Sequence, residues 1–138
     1  MTMNGTALSY NTCTASDATV GSDKQTIITG LNLSNNVPGN DNVELDIMHD
    51  IATIKVGEVF PASTAFDQSD SMALFYFPNA TDSFVTQPQN PLGSITITDV
   101  TSTTISGNFS AKLFAGDDLT GTTIKYTITS GTFTARTK

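Results

Sequence analysis

Apolar and polar residues alternate singly along much of the chain, the period that sends successive side chains to opposite faces of an extended strand. Residues 26–33 (TIITGLNL) place Ile27, Leu31 and Leu33 on one face. Residues 42–48 (NVELDIM) turn Val43, Leu45 and Ile47 inward and Glu44 and Asp46 outward. The same alternation aligns Ile95 with Ile97, Ile105 with Phe109 and Leu113, and Ile124 with Tyr126 and Ile128. Turn chemistry separates these runs: NNVPGND before residue 42, PQNPLG at 88–93 and AGDDLTG at 115–121. Asn4-Gly5 predicts a two-residue hairpin, because both residues tolerate the positive φ that a type I′ turn needs, and it would pair the first strand with residues 6–14. Met48–Thr53 is the best candidate for a helical turn, but it is short and lies between β-branched runs; 62–71 reads as loop. The expectation is an all-β, single-domain antiparallel β-sandwich of eight or nine strands over residues 1–138, with a small barrel as the alternative.

Composition narrows the partners. Six Lys and Arg against thirteen Asp and Glu give a net charge of -7, the wrong sign for a phosphate backbone, so no nucleic acid partner is expected. The longest apolar run, MALFYF at 72–77, is far too short to span a bilayer, so no membrane insertion is expected either. Charged residues are only 14%, while Thr occupies 24 positions beside 13 Ser and 10 Asn. That hydroxyl-rich balance suits β proteins of the cell exterior. A single cysteine, Cys13, cannot form an internal disulfide and reads as a free, partly buried residue. Nothing before it resembles a basic and then apolar signal segment, so the chain reads as cytosolic or as a mature fragment, with the exterior preferred.

Catalytic chemistry has little to work with. His49 is the only imidazole, at the end of a strand between Asp46 and Asp50, and no G-x-S-x-G elbow accompanies it. It reads as a structural residue; finding it seated against both a hydroxyl and an acid would reverse that. One His and one Cys cannot build a zinc site. Thirteen acids leave room for a glycosidase-like carboxylate pair, although most fall in turns. No cofactor is expected. Calcium is the one plausible ion, through Asp67 and Asp70 in DQSDS and Asp117 and Asp118 in GDD. Asp67-x-Ser69-x-Ser71 also matches a metal-adhesion pattern, which belongs to a different fold class. The segment 72–78, MALFYFP, is apolar on both faces. It is either a strand covered on both sides or a contact patch, with Phe75, Tyr76, Phe77 and Asn79 as candidate partner or ligand residues.

The C-terminal pattern carries a resemblance. Gly93-Ser94-Ile95-Thr96-Ile97-Thr98, then Thr104-Ile105-Ser106-Gly107-Asn108-Phe109-Ser110, then Ile128-Thr129-Ser130-Gly131-Thr132-Phe133, resembles uncharacterised secreted lipoprotein domains of Bacteroidota. Asn4-Gly5 and Lys55-Val56-Gly57-Glu58-Val59-Phe60 match that group more loosely. The resemblance implies an exported β-sandwich tethered by a lipidated cysteine, with no assigned activity. The lipid-attachment cysteine of that group has no counterpart here. Asp70-Ser71-Met72 also looks like the short O-glycosylation signal of such bacteria.

These readings converge on a non-catalytic, cell-surface or periplasmic domain that contacts a protein partner or self-assembles. A carbohydrate-binding module, with or without calcium, is the alternative, and a paired-carboxylate glycosidase the third reading.

Overall fold

The computed structural model describes residues 1–10, 12–31, 41–65 and 68–137. It is all-β, with no helix among the described residues. Its strands are β1 (Thr2–Met3), β2 (Thr6–Ala7), β3 (Thr12–Val20), β4 (Asp23–Leu31), β5 (Asn42–Ile47), β6 (Val59–Pro61), β7 (Met72–Phe77), β8 (Phe84–Val85), β9 (Gly93–Val100), β10 (Thr104–Ala115) and β11 (Ile124–Thr137). Eleven strands replace the expected eight or nine. The excess lies in β1, β2, β6 and β8, two or three residues each, too short for alternation to register.

All strands belong to one sheet, in the order β2-β1-β11-β3-β4-β5-β7-β8-β10-β9-β6. Because β10 also pairs with β11, the strands β11-β3-β4-β5-β7-β8-β10 form a closed circuit of pairings. The sheet is mixed rather than wholly antiparallel: Arg136 and Thr137 of β11 pair in parallel with Thr14 and Ala15 of β3. No local signal announces a pairing between opposite ends of the chain. Asn4 and Gly5 do form the hairpin turn, with φ of 48° and 79°. The second arm, however, stops at Ala7, and the tip docks on β11, where the Asn4 side chain accepts from the Thr127 amide (2.8 Å) and donates to the Lys125 carbonyl (3.2 Å). The NNVPGND cluster lies mostly outside the described residues, although β4 and β5 pair antiparallel on either side of it.

The inward faces of β5, β9 and β10 follow the alternation: Val43, Leu45, Ile47, Ile95, Ile97, Ile105, Phe109 and Leu113 are buried. On β4 the faces are reversed. Thr26 and Ile28 point inward and Ile27 is only half-buried. The buried Thr26 hydroxyl is satisfied by the His49 carbonyl at 2.9 Å, which is what admits a polar residue to an inward position. Gly30 follows on the same face, and Tyr10 packs 3.4 Å from where its Cβ would stand. Ile124 is exposed rather than aligned with the buried Ile128, because the register shifts between Leu113, which faces Tyr126, and Phe114, which faces Ile124. Farther along β11 the register shifts: Phe109 faces Gly131 but Ala111 faces Ile128, and inward positions change from Ile128 to Gly131, Phe133 and Ala135.

The two S-G-x-F steps are one packing device. Phe109 of β10 lies opposite Gly131 of β11, and Gly107 of β10 lies opposite Phe133. Each ring covers the glycine across from it. A Cβ on Gly107 would stand 2.6 Å from the Phe133 ring, and one on Gly131 would meet the Phe109 ring more closely still. Both glycines are therefore required by close approach, not by backbone conformation.

Candidate functional site

Two places on this frame gather chemistry. The first lies where β5 ends. Met48 donates to the Ser71 carbonyl and accepts from the Asp70 amide, which clips the 68–71 turn onto the strand end. Asp70 takes a positive φ of 55° there. The 48–53 stretch is a turn rather than a helix, closed by the Thr53 amide on the Asp50 carbonyl. These two turns place His49 between an acid and a hydroxyl, Nδ1 at 2.8 Å from Asp70 Oδ1 and Nε2 at 3.0 Å from Thr53 Oγ1. The ring packs against Phe60, centroids 5.5 Å apart.

This is the seat that counts against the purely structural reading of His49: an acid, an imidazole and a hydroxyl stand in the order a nucleophilic triad uses. The surrounding donors decide what it can do. The Thr53 hydroxyl also donates to the Asp50 carbonyl at 2.9 Å, so its single proton is drawn away from His49. Two of the amides beside Thr53 that could stabilise an oxyanion are engaged, Ala52 on Asp50 Oδ1 (3.0 Å) and Thr53 on the Asp50 carbonyl. A cleft of about 390 Å³ beside His49 is lined by Asp23, Lys24, Asp50 and Asp70, so carboxylates do share a groove. Lys24, hydrogen-bonded to Asp50 at 2.8 Å, and then the Ala52 amide hold the Asp50 carboxyl below its usual range, the wrong direction for a general acid.

The second place is the outer face of β5, β7 and β8. On β7, Met72, Leu74 and Tyr76 are buried in the core, whereas Ala73, Phe75 and Phe77 face outward and are half-buried. Tyr76 is therefore a core residue and not a contact residue. Its ring meets Tyr126 edge-on at 5.3 Å, and burial, with Asp41 nearby, pushes its hydroxyl up to about 12. Phe75 and Phe77 lie parallel on the outer face, centroids 6.2 Å apart. Cross-strand pairing sets Phe75 opposite Glu44 and Val85, and Ala73 opposite Asp46, so all five share that face. Beside them a groove of about 220 Å³ is walled by Ala73, Phe75, Val85, Pro88 and Leu119, the last 70% exposed, with Asp46 at its base. Asp46 Oδ1 is shut off from solvent and has no hydrogen-bond partner among the described residues. Burial, and secondarily the Glu44 charge, pushes this carboxyl up to about 7.

The remaining candidates are occupied by local structure. Asn79 Oδ1 accepts from the Thr81 amide, the Thr81 hydroxyl and the Asp82 amide, and its Nδ2 donates to Asp82, so the whole side chain is used within its own loop. Asp118 accepts from Thr120 and from the Thr122 and Thr123 amides, and these bonds hold its carboxyl below the usual range. Asp117 neighbours it in the same turn, Asp70 holds His49, and Asp67 lies outside the described residues. No three His, Cys, Asp or Glu side chains come together as a metal-holding group among the described residues. Ser71 is fully buried and donates to the Gln68 carbonyl, which leaves an O-linked sugar no room. Cys13 is half-buried and burial pushes its thiol up, away from the reactive thiolate.

The sequence reading missed Asp46, Thr53 and Leu119. Asp46 did carry a signal: an acid between Leu45 and Ile47 in mid-strand is disfavoured there. Thr53 and Leu119 carried none.

No family model, no curated protein and no solved structure matches this chain.

Proposed function

We propose that the chain is an exported, non-catalytic domain that contacts a protein partner through the outer face of β5, β7 and β8. The body would be a β-sandwich closed at its corners or a small barrel, and the closed circuit of pairings is compatible with both. The observation that carries the function is the half-buried Phe75–Phe77 pair beside an apolar groove, on a sheet whose other face already forms the core. Apolar area of this kind on a soluble domain marks a contact site. The hydroxyl-rich, acidic composition and the lipoprotein resemblance favour the cell exterior. The glycan reading loses support from Asn79, whose amide is turned into its own loop. A photo-crosslinking residue at position 77, compared with one at position 125, tests the proposal in cells. Adducts at 77 alone are expected; equal yields at both, or none at either, would overturn it.

A second reading, a hydrolase using Thr53, His49 and Asp70, is favoured by their geometry alone. Labelling of Thr53 by a fluorophosphonate, abolished by His49→Ala, would establish it. The engaged amides lead us to expect no labelling.

A further inference from the structure

We infer that the groove over Asp46 receives a lysine side chain of the partner protein, its ammonium pairing with the Asp46 carboxylate and its methylenes lying along Phe75, Val85 and Leu119. This deepens the contact-face reading and rests on it. The groove supplies two things a lysine needs and lacks one thing an acid needs. Its walls are largely apolar, the kind of surface on which lysine commonly lays its four-carbon stem. Its lining carries one carboxyl, that of Asp46. None of the residues lining it is Lys, Arg or His, so the described residues supply no cation to that carboxyl.

The charge around it points the same way. Glu44 shares the outer face of β5, and Asp117 and Asp118 belong to the loop whose Gly116 and Leu119 border the groove. The facing positions on β4 and β7, Ile27, Thr29, Ala73 and Phe75, carry no charge. A cation entering here meets the like-signed, negative charges of Asp46 and Glu44, and an anion would meet their repulsion. A neutral apolar side chain would fill the walls but leave the carboxyl as it is. The raised pKa of Asp46 agrees with a carboxylate that lacks its counter-charge.

The test uses the whole chain, labelled for NMR, with Nα-acetyl-lysine methylamide as probe and the acetyl-norleucine and Nε-acetyl-lysine analogues as neutral controls. Saturable shifts at Ala73, Val85, Thr86 and Leu119 are expected with the lysine probe. The neutral analogues should bind about tenfold more weakly, and the Asp46 carboxyl midpoint should fall by about one pH unit at saturation, the same factor seen from the proton side. Asp46→Asn should lose the difference between probes. Equal binding of norleucine would overturn the lysine assignment while leaving an apolar contact face. Shifts at the groove that grow with protein concentration alone would assign it to a second copy of this chain, and no shift with any probe would also overturn the inference. Failure of crosslinking at position 77 bears on the contact face instead, so the two readings fail separately.

Discussion

At the scale of single residues, Asp46 sets a measurable pH dependence. Its folded value lies near 7, above that of a carboxyl in the unfolded chain, so the native state holds a proton that the unfolded state has released. Stability should therefore fall as pH rises from about 4 towards 7 and level off above that. Asp46→Asn removes this slope and should be the more stable protein at pH 8, because a neutral amide has no charge to desolvate or to repel Glu44. Urea unfolding of both proteins at pH 5 and pH 8 checks it; parallel profiles would contradict the burial of that carboxyl. The glycines under Phe109 and Phe133 make a second case. Gly131→Ala drives a methyl into the Phe109 ring and should cost about 1–3 kcal/mol, typical of overpacking. Phe109→Leu in the same chain should recover part of that loss, which denaturation midpoints of the single and double variants would show.

At the scale of elements, alternation identified the inner faces of β5, β9 and β10 because their side chains sort cleanly into apolar and polar. It failed on β4 because a buried threonine can hide its hydroxyl on a carbonyl, as Thr26 does on His49, and because Gly30 leaves no side chain to count. It also could not show how turns fold back on one another. The distance from His49 to Asp70 is set by two loops clipped together at Met48, and the sequence separation of 21 residues gives no hint of it. Turn chemistry was more legible. The GDD run is a turn whose Asp118 caps three following residues, and its carboxyl is held below the usual range by those donors. A depressed pKa gives stabilisation that is present above the unfolded carboxyl value and lost as pH falls through the folded one. Asp118→Ala should lower the melting temperature at pH 7 and narrow the gap from wild type at pH 2. An unchanged gap would mean that the cap contributes through shape and not through charge.

At the scale of the whole molecule, the pairing circuit joins β3 to β11, and β1 pairs with β11 beside it, so opposite ends of the chain meet. Such pairings come with large loop-closure entropy, so folding should take milliseconds to seconds; stopped-flow refolding in the microsecond range would be inconsistent with the topology. What the circuit leaves over are short flanks. One end of the sheet order is β6, three residues closing with Pro61, and just past it Ala62 bridges Met72 of β7 in parallel, with the Ser63 amide on the Met72 carbonyl, so that edge is covered. This guarded edge is why we favour a foreign partner on the β5–β7–β8 face over growth by strand addition.

The reciprocal seating of Phe109 on Gly131 and Phe133 on Gly107 reaches beyond this one molecule. Neither half can drift alone during descent, since a methyl gained on Gly131 meets the Phe109 ring and one gained on Gly107 meets both the Phe133 ring and the Thr96 carbonyl. Homologous chains should inherit the two tetrapeptides as a linked pair, and that linkage offers a search signature for lineages whose remaining sequence has diverged past recognition.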